Sequence, residues 1–393
     1  MQPAPDILIV GAGVFGVTAA LELTLRGYTV ALVDQGPPPF SLAASTDISK
    51  VVRMEYGADA FYMAMAEDAM VGLDRWNEAL SRPFYHETGV AMLTRRPLED
   101  GGFEADSWAL LNGRGHKPER LQAGDIRTRF PAFATDTHVD GFFHARGGWV
   151  ESGALMAELF DRAIDQGVQF LQRSITGLIT EGGRCRGILT HDGSPIEGEH
   201  TLLTCGAWIG SLIPELAGTI QSTGHPVFHI RPSATEAFRT PRFPVFTADI
   251  ARTGWYGFPV HPSENVIKIG RHGTGLPVDP QHGERRVHPE DENALRSFLS
   301  ESIPSLADAP IIHTRRCLYA DTLDGDYWMD HHPKLDGLSV ATGGSGHGFK
   351  MAPVLGGLIA DMVEERDNPR LERFRWRSLA PGAQRREAAR FDG

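Results

Sequence analysis

The first thirty-four residues constrain the fold more than any other stretch. Asp6-Ile-Leu-Ile-Val10 is an apolar run of buried-strand length, followed by Gly11-Ala-Gly13-Val-Phe-Gly16 and an apolar-periodic segment that ends at Arg26-Gly27. A second apolar run, Tyr28 to Val33, ends in Asp34. Strand, glycine turn, helix, strand and acid, in that order, let a backbone approach a pyrophosphate at a helix N-terminus while the carboxylate takes ribose hydroxyls. Asp34 falls eighteen residues after Gly16, close to the spacing of about twenty that this unit uses. A bare GxGxxG also suits a tight turn with packing glycines. The flanking runs and the acid favour a dinucleotide, and this segment by itself does not separate FAD from NAD.

A chain of 393 residues with 41% hydrophobic content allows two or three domains with sizeable cores. No apolar run approaches the roughly 18 residues of a membrane span, and no basic residue precedes the first apolar run, so the expectation is a cytoplasmic protein. Cys185, Cys205 and Cys317 are an odd set without a secretion signal, which argues against a disulfide framework and leaves a thiol for a special role. The net charge of −12 argues against a nucleic-acid surface. His331-His332 and the other histidines lack zinc-like spacing, and no metal is expected.

An anionic substrate would therefore need local positive charge. Of 38 lysines and arginines only five are lysine: Lys50, Lys117, Lys268, Lys334 and Lys350. Lysine is a compact point charge whose pKa moves on burial, whereas arginine is a planar fork that stays charged. Lys117 and Lys334 sit in polar, proline-flanked loops. Lys268 interrupts the apolar pattern Val266-Ile267-Lys268-Ile269-Gly270, so it faces either solvent or a cavity.

The pattern along the chain is interleaved. It predicts a helix from Ala58 to about Glu78, short strands near Phe84 and Val90, a helix from Glu151 to Gln166, and strands at Ile175 to Thr180, Gly187 to Thr190 and Thr201 to Cys205. Residues 220 to 275, rich in β-branched and aromatic residues with Pro and Gly punctuation, predict an antiparallel sheet. A helix from Pro289 to Ser302, a strand from Leu338 to Thr342 and a helix from Lys350 to Glu364 follow. The polar, Arg-rich tail from Arg373 to Gly393 is expected to be partly disordered.

Several motifs in one order carry a resemblance: the glycine fingerprint at 11 to 16, Asp47-Ile-Ser-Lys50-Val-Val-Arg53, Tyr256-Gly-Phe-Pro259, Lys268-Ile-Gly-Arg-His272, Cys317 and Gly346-His-Gly-Phe-Lys350. Together they resemble the flavoprotein amine oxidases typified by monomeric sarcosine oxidase and fructosyl-amino acid oxidase (amadoriase), within the D-amino acid oxidase superfamily. The resemblance spans nearly the whole chain. It implies a mixed α/β fold in which a Rossmann-like FAD domain (residues 1–80, 145–215 and 315–393) is interleaved with a substrate domain on an antiparallel sheet (81–144 and 216–314).

Carried over motif by motif, FAD would rest on Gly11, Gly13, Val14, Phe15 and Gly16, on Asp34 and Gln35, on Ser45, Thr46, Ser49 and Lys50, and on Ile175, Gly206 and Trp208. Gly344, Gly346, His347, Gly348, Phe349 and Lys350 would complete the set, with Cys317 bonded to the flavin 8-methyl carbon. Without the resemblance, Cys317 reads as an ordinary buried thiol. Lys268 resembles the family lysine that assists the reaction with oxygen, where a fixed cation stabilises developing negative charge. Lys350 and Arg53 resemble the pair that clamps the substrate carboxylate. His272 and Tyr256 match positions that shape the substrate pocket, His272 being able to accept a proton.

The implied reaction moves the equivalent of a hydride from a carbon next to nitrogen to the flavin. The imine then hydrolyses, and O2 becomes H2O2. Sarcosine oxidases carry arginine where Lys50 stands and fructosyl-amino acid oxidases carry lysine, while Ser49 departs from the asparagine of the fructosyl type. N-methyl, cyclic and sugar-derived amines of α-amino acids all stay open. A dehydrogenase with a non-oxygen acceptor, a non-catalytic dinucleotide-binding protein and an NAD enzyme are the competing readings. The expected partners are a small amine and O2, without nucleic acid or membrane, acting on a monomer.

Overall fold

The computed structural model describes residues 4–379. The strand β1 (Ile7–Val10), the helix α1 (Val14–Leu25) and the strand β2 (Val30–Asp34) form the opening unit expected from the sequence. β1 and β2 are central in a six-stranded sheet whose order is Trp328–His331, Leu338–Thr342, His200–Leu203, β1, β2, Gln169–Gln172. All neighbours are parallel except the Trp328–His331 edge.

Both faces of this sheet are covered, which is why its strands are continuously apolar. Side chains alternate across a strand. Ile7 and Ile9 therefore join the core under α1 and the helices Ser152–Asp165 and Ala352–Val363, whereas Leu8 and Val10 join Cys185, Ile188 and Leu203 on the other side. That second layer is the three-stranded antiparallel meander Ile175–Glu181, Arg184–Thr190 and Pro195–Glu197.

A nine-stranded sheet forms the second layer system. It runs Leu276–Pro277, Ile220–Ile230, Ile267–Arg271, Trp255–Gly257, Val245–Ala248, Val90–Thr94, Asp140–His144, Glu119–Gln122, and the long strand Ile311–Thr322 lies along Ile220–Ile230. The sheet is antiparallel apart from one parallel join, Val245–Ala248 with Val90–Thr94. The boundary drawn at residue 315 falls inside Ile311–Thr322, which pairs with Ile220–Ile230 along its length. Helix Pro289–Ser302, with the bounds expected from the sequence, packs Leu295, Phe298 and Leu299 on the outer face against Phe228, Trp255, Ile267 and Ile269. The inner face looks toward the glycine turn.

A small sheet of β3 (Lys50–Val52), Gly148–Val150 and Tyr85–Glu87 holds the segment leading to Arg53. The helix α2 (Ala60–Ala79) starts two residues later than expected, because the Asp59 side chain caps it by accepting from the Tyr62 amide. The tail expectation is corrected for its first part. Arg373 pairs with Asp59 and Asp326, Arg377 with Asp324, and Trp376 packs edge-on to Trp328, so residues 373–379 are docked. Residues 380–393 lie outside the described residues. Among the described residues no helix is long and apolar enough to cross a membrane, and no group of His, Cys, Asp or Glu is placed to hold a metal ion.

Candidate active site

The glycine turn and the inner face of the large sheet enclose a cavity of about 580 Å³, of the size that small molecules and cofactors use. Gly11, Gly13, Val14 and Phe15 line it, as do Asp34, Gln35, Ser45, Lys50, Ile175, Gly206, Trp208 and the turn Gly344 to Lys350. Gly11 has φ of +108°, and a Cβ there would meet the Thr204 carbonyl at 2.6 Å. At Gly16 a Cβ would lie 1.9 Å from the Gly11 carbonyl, so only glycine lets α1 start against the strand end. Gly13 meets nothing nearer than Ser45 Oγ at 3.4 Å, which leaves backbone open to the cavity.

The Asp34 carboxylate accepts from the Ala12 and Gln35 amides, each at 2.6 Å. Burial raises its pKa against those hydrogen bonds, so added donors such as ribose hydroxyls would favour its charged form. The Ser45 hydroxyl accepts from the Val14 amide at 2.9 Å and finishes the helix start. An N-terminal helix end, an exposed glycine backbone and a buried carboxylate at the strand tip suit a dinucleotide. These residues fit FAD.

Lys268 is decided by strand alternation. Ile267 and Ile269 enter the outer core, which turns Lys268 into the cavity, where it is 3% exposed. Its ammonium sits 2.7 Å from Asp47 Oδ2, ionic rather than well aligned as a hydrogen bond, and donates to the Ser49 carbonyl. Burial lowers the Lys268 pKa to about 8 although Asp47 opposes it. Burial would raise Asp47, but Lys268 and then His229 hold it well below the usual carboxylate range. Asp47 is a site residue that the sequence reading quoted within a motif and gave no role. A buried lysine in a strand signals the need for such a partner, but not which acid supplies it.

Arg53 and Lys350 come together beside Tyr56. Lys350 Nζ donates to Tyr56 Oη at 3.1 Å and lies 4.6 Å from the ring centre, with the Arg53 guanidinium 5.6 Å from the same ring. Both are buried, and among the described residues Arg53 Nη1 has no hydrogen-bond partner. Among the described residues neither has a carboxylate within ion-pairing distance. Burial, with Arg53 adding, pushes the Lys350 pKa well down, and Glu55 opposes it. Glu55 is itself buried and bound to His144 Nδ1 at 2.9 Å. A guanidinium beside a buried amine, with no contacting anion among the described residues, forms a receptor for one, and a bound carboxylate would favour the charged form of Lys350.

Tyr256 and His272 line the same cavity. Burial, with Arg53 adding, lowers His272 to about 3, so its ring is neutral at neutral pH. His347 lies in the turn, and its ring bonds inward, to Tyr56 Oη and Tyr327 Oη at 3.2 Å each and to the Gly325 carbonyl at 3.0 Å. That ring braces the turn. Gly346, at φ of +72°, closes the turn against the large sheet, where a Cβ would meet the Tyr319 ring at 2.5 Å.

Four sequence-derived residues stand outside the cavity wall. Gly16 is packed behind the turn, Thr46 offers its carbonyl to Arg315, and Ser49 offers its carbonyl to Lys268. The Cys317 thiol is buried, 4.0 Å from the carbonyl of Ala44, which does line the wall. The wall also includes Arg173, His191 and Thr204, which no local motif marks, together with Tyr319 and with Phe258 of the Tyr256 to Pro259 motif.

The profile of the family described as FAD dependent oxidoreductase matches residues 6–362. The chain is 26% identical over 364 residues to monomeric sarcosine oxidase of Bacillus sp. (strain B-0618), covering 91% of this chain and 92% of that one. It is 28% identical over 424 residues to L-saccharopine oxidase of Schizosaccharomyces pombe, covering 95% and 96%. The solved structure of fructosamine oxidase from Aspergillus fumigatus (Amadoriase II) in complex with FSA superposes with a TM-score of 0.82 at 26% identity, covering 96% of this chain and 90% of that one.

Proposed function

The chain belongs to the FAD-dependent oxidoreductase family, and from that premise we propose that it oxidises the secondary amine of an N-substituted α-amino acid. It is an FAD-dependent oxidoreductase that acts on CH–NH groups with O2 as acceptor. Bound FAD supplies the two-electron acceptor and the reaction with oxygen. The observation that carries the substrate class is the pair Arg53 and Lys350, buried, beside the same Tyr56 ring and without a contacting carboxylate among the described residues. Arg53 offers a fork for bidentate binding of an α-carboxylate, and Lys350 a point charge that the carboxylate would hold protonated.

In this reading Arg53 and Lys350 fix one end of the substrate, and Tyr256 and His272 border the reacting carbon and nitrogen. The neutral His272 ring keeps the amine's surroundings free of a third cation. Lys268 serves oxygen, its charge favouring electron transfer to O2. Cys317 is proposed as the flavin tether, reaching past Ala44. Sarcosine and saccharopine, named for two of the similar proteins, share the secondary amine of an α-amino acid, which supports the class without choosing its substituent.

The test is anaerobic bleaching with sarcosine, pipecolate, proline, N-methylated amino acids, saccharopine and fructosyl-amino acids, followed by air. Bleaching by one group, with colour and peroxide returning in air, is the expected outcome. If none of these amines bleaches the flavin, the substrate proposal fails.

A further inference from the structure

Lys268 is sealed from solvent, yet the reaction assigned to it consumes a proton. Two electrons and two protons convert O2 to H2O2. One proton leaves the reduced cofactor with the electrons, and the other must come from the medium. A route is visible in the large sheet. His229 on Ile220–Ile230 pairs across one side with Lys268 and across the other with His313. Cross-strand partners share a sheet face, so the three side chains form a row from the cavity to the exposed His313.

Asp47 bridges the inner half of that row. Its Oδ2 is 2.7 Å from Lys268 Nζ and its Oδ1 is 3.6 Å from His229 Nε2. The His229 and His313 rings lie 4.9 Å apart, and the His229 side chain is itself 11% exposed. At 3.6 Å, His229 Nε2 and Asp47 Oδ1 are close without a hydrogen bond, and among the described residues His229 Nε2 has no hydrogen-bond partner. Besides one another, the groups acting on the row are Lys50 and Arg315 on Asp47, Arg315 on His313, and Lys50 and Cys317 on Lys268.

We propose that Lys268, Asp47 and His229, with His313 at the mouth, are the path by which the proton consumed in oxygen reduction reaches the cavity. Lys268 Nζ gives its proton toward oxygen. The proton on His229 Nε2 passes to Asp47 Oδ1, rotation of the carboxyl carries it to the Lys268 side, and Nζ takes it. His229 is refilled from solvent or through His313. Asp47 and His229 are positioning and relay residues that act through Lys268. The inference rests on the reading of Lys268 as the residue that serves oxygen.

The holoenzyme is reduced with dithionite, so that no amine is needed, and mixed with aerated buffer. His229→Gln is expected to slow the return of yellow colour by about tenfold or more, with imidazole in the buffer restoring it. Return at the native rate overturns the path. An independent readout is urea unfolding of His229→Gln, Asp47→Asn and the double variant at saturating FAD. The midpoint shift of the double variant should be smaller than the sum of the two single shifts, because each substitution removes the same Asp47–His229 contact. Midpoint shifts that add overturn the coupling. Because dithionite replaces the substrate, failure of the amine reading leaves both measurements valid.

Discussion

Replacing Asp47 by Asn removes the countercharge of Lys268 and changes little in volume. At their separation of 2.7 Å, two unit charges attract by about 6 kcal/mol at an effective dielectric near 20. At about 1.4 kcal/mol per pKa unit that attraction is worth roughly four units. Lys268 already sits at about 8, so without Asp47 it is expected to be neutral at pH 7. Breaking such a pair from one side costs about 3–5 kcal/mol of stability. Lys268→Met should cost a similar amount, since it strands Asp47 as a buried anion. The double variant should be milder than the sum of the singles by about 3 kcal/mol. Urea unfolding at saturating FAD, with the slopes compared to confirm that the unfolded state is unchanged, measures all four corners. Singles that add to within about 0.5 kcal/mol, or an Asp47→Asn cost under about 1 kcal/mol, would refute the reasoning.

Three more outcomes follow from the site. Arg53→Lys keeps the charge but loses the fork, and should lower kcat/KM for the amine about thirtyfold or more, corresponding to roughly 2 kcal/mol. A drop of less than threefold would remove Arg53 from the carboxylate clamp. Lys268 is charged below its pKa of about 8, so the rate of recolouring in air should fall as pH rises through that value and become flat in Lys268→Met; a native profile flat from pH 6 to 10 would contradict the role. Cys317→Ser should release yellow flavin into the supernatant on acid precipitation, whereas the native protein should keep its colour in the pellet. Native protein that releases its flavin would rule out the tether.

Much of the architecture was legible because it rests on local periodicity. The apolar runs at Ile7 and Val30 are continuous because helices and a meander bury both faces, and a sheet covered on both sides writes itself into the chain as uninterrupted hydrophobicity. Pro289–Ser302 could be bounded from its proline start and amphipathic spacing. Gly11 and Gly16 were readable for a similar reason, since each answers a contact within its own turn or at the adjoining strand end.

The pairings of the site were not readable in this way. Alternation along Ile267–Arg271 allowed Lys268 to face solvent or a cavity, and the choice was made when Ile267 and Ile269 found Phe298 and Leu299 on the outer face. Asp47 meets Lys268 from a segment 221 residues away, and no periodicity in either segment encodes that meeting. The same holds for His229 and His313, ordinary strand residues until register sets them in one row with Lys268. The sequence by itself determined the dinucleotide unit, the alternation of elements and the residue types able to do the chemistry, because these depend on neighbours a few positions apart. Tertiary structure alone decided which charges are paired, which cations stand bare and which histidine faces which acid, because burial and register belong to the packed sheets and not to any segment of the chain.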